Sequence, residues 1–246
     1  MRTRFGIGAI VIAASILVGG AEVASAQAEV PVACQARSDL ALAMGQEDRA
    51  GAETAGQSLV TNAPVELTDP ATKLAGVLTK RGLGAFETKK FTKALGLIDE
   101  YVVANCGLPV LAVDAFDYGY EGFSEEIAAG AYVIELSNTA PAEHHELVLF
   151  RVRGGASISV KELLALEAER SEAQAVMLGA LFAKPDVTDS LVVFLEPGRY
   201  IFGCFIDVNT TSGGEHDEGH GDEHGGATKP HWKEGMRGQF EVVGGE

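Results

Sequence analysis

The chain of 246 residues carries 19 basic and 35 acidic side chains, a formal net charge of −16, and 46% hydrophobic residues. A surface of that sign repels nucleic acid and anionic membranes, which argues against a nucleic-acid-binding role and favours cations or a basic protein partner. The length suits one large domain or two small ones.

The chain begins MRTRFGIGAIVIAASILVGGAEVASAQA, with Arg2 and Arg4 ahead of an apolar run from about Phe5 to Gly20 and the small residues Ala24, Ser25 and Ala26 behind it. These are the three regions of a secretory signal peptide over residues 1–26, so an exported mature protein, periplasmic or extracellular, is expected. The run is short for a membrane span and no later stretch qualifies, so no spanning segment is expected. Cys34 lies well beyond the run and follows Pro31-Val32-Ala33, so no lipoprotein anchor is expected either. Cleavage would remove Arg2, Arg4 and Glu22, leaving 17 basic against 34 acidic residues.

Residues 27–107 read as a helical module. The segment is alanine-rich, has no histidine, and repeats apolar residues at helical spacing, as in DLALAMGQ and FTKALGLIDEYVVANC. Asp69-Pro70 reads as an N-cap and first-turn proline, NAP and RGLG read as breaks, and about four short helices are predicted. In an oxidising compartment three cysteines leave one over. The simplest pairing joins Cys34 to Cys106, closing a long loop worth about 4 kcal/mol in the chain-entropy account. Cys204 then stands as a free thiol, a liability after export unless something such as a metal protects it. The scattered polar residues of the module suit a solvated face, so it reads as a structural or docking unit.

From Pro109 onward the pattern changes. VLAVDAFDYGY, GAYVIELSN, HELVLFRV, SLVVFLE, RYIFGCFIDV and GQFEVV are short β-rich runs separated by glycine, proline and asparagine, the pattern of an antiparallel sandwich over residues 108–246. One helix, SVKELLALEAERSEAQ, interrupts them, with Ser159 and Glu162 placed as a capping box. The whole chain is therefore expected to be α+β, an all-α module followed by an all-β domain. All six histidines lie in the β half.

Four pieces of that half belong together: the histidine pair His144-His145 at the start of a strand, Cys204 at the end of another, and His231 and Met236 just before the last. One thiolate, two imidazoles and one thioether form the donor set of a blue-copper centre. Thiolate and thioether stabilise Cu(I), while imidazole suits both oxidation states. Asn138, His145-Glu146, Pro197-Gly198-Tyr200, Cys204, His231 and Met236 occur in the order of the pattern seen in cupredoxin-like domains of exported bacterial proteins, which residues 110 to 243 resemble. The resemblance implies a Greek-key β-sandwich, one type 1 copper ion, and the ligands His145, Cys204, His231 and Met236. His145 is preferred to His144, which stays open, because His145, Leu147 and Leu149 share strand parity and would face inward together.

Two features depart from the usual blue-copper pattern or add to it. The cysteine and second histidine are normally a few residues apart, whereas 26 residues separate Cys204 from His231. Lengthening that loop from about 8 residues costs only about 1 kcal/mol, so a site can survive it. The gap includes GGEHDEGHGDEHGG, within an acidic histidine-rich loop over 209–229, where His216, His220 and His224 recur every fourth residue. So much glycine and no apolar residue give that stretch little reason to hold a helix, and a weak secondary site that gathers cations is expected there. No HCH motif or second histidine cluster of the kind a multicopper oxidase needs is present, so an electron carrier working with a separate redox partner protein is expected rather than an enzyme. Metal capture or delivery through the loop, and a metal-free binding module, are the competing readings.

Overall fold

The computed structural model describes residues 31–210 and 229–244; the predicted signal peptide and His216, His220 and His224 lie outside them. Four helices come first: α1 (Val32–Gly45), α2 (Arg49–Asn62), α3 (Thr68–Arg81) and α4 (Lys89–Asn105). Asp48 caps α2 by accepting from the Gly51 amide at 3.0 Å, and Thr88 caps α4 by accepting from that of Phe91 at 3.3 Å. Asp69 is not the cap of α3. A 3-10 turn over Val65–Leu67 runs straight into the helix, so Asp69 falls in the first turn, where it pairs with Lys73. Cys34 and Cys106 form a disulfide between the start of α1 and the residue after α4, with 5.7 Å between their Cα atoms. Leu40, Leu59, Leu74, Leu78, Phe91 and Ile98 fill the space between the four helices.

The rest of the described chain is a two-layer sandwich. One sheet has the order β2 (Gly119–Glu121), β1 (Val110–Phe116), β4 (Gly130–Asn138), β7 (Thr188–Leu195). The other runs β3 (Glu126–Ala128), β9 (Arg237–Val243), β8 (Gly198–Gly203), β5 (His145–Val152), β6 (Ala175–Ala183). The sheets are mixed rather than purely antiparallel, because β1 pairs with β4, and β3 with β9, in parallel. The short strands β2 and β3 make this possible: β2 pairs back on β1 and β3 joins the opposite sheet before the chain returns as β4. Ile134, Leu136, Leu191 and Val193 from one sheet meet Leu147, Leu149, Phe202 and Phe240 from the other.

Two smaller surfaces explain further runs of the sequence. The expected helix after β5 is split into α5 (Val160–Leu164), which has the Ser159–Glu162 capping box, and α6 (Ala168–Glu172). Leu163 and Leu164 of α5 cover Ile201 on the outer face of β8. The helices cover the outer face of the first sheet, where Val133 of β4 and Val192 of β7 join the helical core. Strand β7 is thus buried on both faces, which is why SLVVFLE reads as a nearly continuous apolar run. Arg37 of α1 fixes the contact. It donates to Asp99 of α4 at 2.5 and 3.0 Å and to the Val192 carbonyl at 3.0 Å, and both charged side chains are buried. At the edge, Arg151 of β5 pairs with Glu196 and donates to the carbonyl of Gly45 at the end of α1 at 2.6 Å. No helix among the described residues is long and apolar enough to cross a membrane.

Candidate metal centre

Strand parity brings the donors together at one end of the sandwich. Along β8 and just beyond it, Tyr200, Phe202 and Cys204 alternate with Ile201 and Gly203, so the thiol points into the same core as the two aromatic rings. On the neighbouring strand β5, His145 begins the inward row that continues with Leu147 and Leu149. His231 opens the one-turn helix α7 (His231–Glu234), and Met236 follows Gly235, which adopts φ 133° to end that turn. A side chain at position 235 would also crowd the Tyr118 carbonyl, at 3.2 Å from a Cβ.

Backbone hydrogen bonds hold the two loops in register. The His231 amide donates to the Ile206 carbonyl at 2.8 Å, the Trp232 amide to that of Cys204 at 2.9 Å, and the Cys204 amide to that of Met236 at 3.1 Å. Hence the 26-residue interval between Cys204 and His231 does not separate them in space. His145, Cys204 and His231 are the one cluster of three or more His, Cys, Asp or Glu among the described residues whose donor atoms lie within 4.8 Å of one another, and all three are buried. Nδ1 of His145 and Nδ1 of His231 are 3.2 Å apart, and Sγ of Cys204 is 3.4 Å from the latter. Bond lengths of about 2.0–2.3 Å to nitrogen and sulfur put two donors to one ion no more than roughly 4.5 Å apart, so the spacing accommodates a shared ion. Met236 is fully buried and packs in the same core cluster as Cys204.

The electrostatics suit a cation. Burial pushes the Cys204 thiol up to about 12, against the Glu146 amide, which donates to Sγ at 3.4 Å; the carboxylates of Glu146 and Glu143 add to the rise. A bound cation would offset that cost by replacing the thiol proton. Burial pushes His145 down to about 4, helped by the adjacent His231 imidazole, and Nε2 of His145 has no hydrogen-bond partner among the described residues. The four donors fit a type 1 copper site: thiolate, two imidazoles and a thioether, dry and held by backbone.

His145 carries a pH consequence for the metal-free protein. Its folded value lies below the roughly 6.5 of an exposed histidine, so folding favours the neutral ring. The contribution is complete above about pH 6.5 and is lost as pH falls toward 4, on the order of 3 kcal/mol over that window. Urea unfolding midpoints of the metal-free protein across the window should fall in wild type and fall less in His145→Gln; equal slopes would contradict this.

His144 does not join the cluster. Its ring packs edge-on against Phe182 at 5.4 Å, and its amide donates to the Thr210 carbonyl at 3.0 Å. Four further residues shape the site, of which Asn138 and Glu146 belong to the sequence pattern and Glu143 and Tyr118 do not. Asn138 donates to the carbonyls of Glu143 and Ala183, both at 2.9 Å, and accepts from Ala140, which fixes the loop leading into His145. The Glu146 carboxylate accepts from the Phe205 amide at 2.8 Å and so braces Cys204 from both sides. Glu143 and Tyr118 surround His231: a Glu143 oxygen lies 2.6 Å from Nε2, and the Tyr118 ring stands edge-on at 5.3 Å. An Asn turn was visible in the sequence, but Glu143 meets a partner 88 residues away and carried no local signal.

The chain matches no protein-family model and no curated protein. Among solved structures it is similar to a Na-dithionite reduced auracyanin from the photosynthetic bacterium Roseiflexus castenholzii, with 17% identity and a TM-score of 0.35 over 55% of this chain and 96% of that one. It is also similar to auracyanin A, a "blue" copper protein from Chloroflexus aurantiacus, with 15% identity and a TM-score of 0.31 over 55% of this chain and 99% of that one. A Cu-containing nitrite reductase from Thermus scotoductus shows 11% identity and a TM-score of 0.29 over 58% of this chain and 33% of that one. The C-terminal half is a two-layer β-sandwich, and with its helical module the chain is α+β.

Proposed function

We propose that this is an exported blue-copper electron carrier in which His145, Cys204 and His231 hold one copper ion and Met236 is its weak axial ligand. The observation that carries the reading is the meeting of a buried thiol with two imidazole nitrogens within 4.8 Å of one another. Bound copper would supply a one-electron Cu(I)/Cu(II) couple. The protein's part is to keep the donors where both oxidation states accept them: Cys204 and Met236 favour the reduced ion, and the imidazoles suit either. The hydrogen bonds between the 204–206 and 231–236 segments resist rearrangement as the electron moves. Burial of all four donors keeps water out.

On this reading the chain is a carrier and not an enzyme, and its acidic surface suits a basic redox partner protein. Residues 27–107 and 108–246 serve as two domains, the first a docking unit, and His216, His220 and His224 gather cations weakly as a secondary site. Protein-film voltammetry of the copper-loaded mature protein tests the carrier function. A reversible one-electron wave with similar oxidative and reductive peaks is expected. Irreversible loss of copper on reduction would point instead to metal delivery.

A further inference from the structure

Outside the donor set, the most unusual feature of the site is how His231 is closed off. Its ring is fully buried. One Glu143 carboxylate oxygen lies 2.6 Å from Nε2 and also accepts from the Asn209 amide at 3.2 Å; the other accepts from the Tyr118 hydroxyl at 3.1 Å. Tyr118 sits in the two-residue turn between β1 and β2 with φ 64°, a left-handed conformation that a bulky aromatic residue rarely adopts. That backbone conformation accompanies a side chain which both packs edge-on against His231 and holds Glu143.

A carboxylate only accepts, so Nε2 must carry the ring proton in this contact. In a neutral imidazole Nδ1 is then unprotonated, and Nδ1 is the atom that faces Sγ of Cys204 at 3.4 Å and Nδ1 of His145 at 3.2 Å. We propose that Glu143, seated by Tyr118, is a positioning residue for His231: it fixes the Nε2–H tautomer and ring orientation so that the Nδ1 lone pair is presented to the metal before the metal arrives. It rests on the reading of His231 as a copper ligand. Hydrogen bonding to the outer nitrogen of a ligating histidine also raises its basicity, which stabilises the more highly charged oxidised ion and lowers the reduction potential. The same closure means that electrons do not enter through a bare Nε2 edge of His231.

The test separates this proposal from the reading beneath it. In metal-free wild-type protein at neutral pH, long-range nitrogen-15 NMR should show His231 as the Nε2–H tautomer, an observation that needs neither copper nor a variant. A predominant Nδ1–H tautomer would overturn the proposal. In copper-loaded protein, Glu143→Ala should bind copper 10–100-fold more weakly and shift the potential upward, and Glu143→Gln, which keeps an acceptor oxygen, should recover part of both losses. Unchanged affinity and potential in Glu143→Ala would overturn the positioning role even where the wild type is blue. A wild type that binds copper without a thiolate band would overturn the ligand reading, whatever the tautomer of His231.

Discussion

Cys204→Ser is expected to abolish the intense visible absorption of the copper-loaded protein altogether, while leaving the protein folded. The band would come from charge transfer between a thiolate and Cu(II), and Cys204 is the free cysteine of the chain. Serine cannot supply it: an alcohol is a hard and weakly acidic donor, poorly matched to Cu(I). Folding should survive because the Glu146 amide and Nδ1 of His231, each 3.4 Å from Sγ, can both satisfy a hydroxyl. Absorption spectra and thermal unfolding of the two metal-free and copper-loaded proteins check both halves. A blue Cys204→Ser protein would remove the thiolate from the account.

The second large effect is structural. Arg37→Met should destabilise the protein by about 3–5 kcal/mol, because it strands the buried Asp99 carboxylate and the Val192 carbonyl at once. Burial already pushes Asp99 up against the downward pull of Arg37, so removal of the guanidinium leaves only a backbone hydrogen bond from Val192 to oppose the burial cost. For a chain of this size the loss corresponds to a fall in Tm on the order of 10 °C. Replacing both partners, Arg37→Met with Asp99→Leu, should recover most of it, since buried ion pairs exchanged for apolar residues are often close to neutral. A single variant as stable as wild type would mean that the helices do not depend on this contact to seat on β4 and β7.

The parts of this structure that were legible in the sequence are those with a local period. Helical spacing marked the four helices, and alternation marked β1, β4, β5 and β9. Parity along β5 separated His145 from His144, and it also turns Cys204 inward after Tyr200 and Phe202. Strand β6 escaped notice because AVMLGALFA is built from good helix formers and follows a helical segment; its β state is imposed by pairing along β5. The parallel pairings escaped for a related reason, since the direction of β1 beside β4 is set by where β2 and β3 lie and not by either strand's residues. The carboxylate on His231 was hidden because the contact needs the 139–144 loop, the β1–β2 turn and α7 in place together. An acidic residue immediately before a histidine pair looks like any solvated residue until those three segments meet.

Titration of the purified mature protein with Cu(II), followed by absorption and electron paramagnetic resonance, tests the central claim most directly, with a variant lacking residues 213–226 in parallel. One equivalent should bind tightly to each protein with the same blue band and the narrow copper hyperfine splitting of a thiolate site, any further weak copper being confined to the wild type. Colourless binding that disappears with residues 213–226 would place the metal on His216, His220 and His224 and contradict the buried site of His145, Cys204, His231 and Met236.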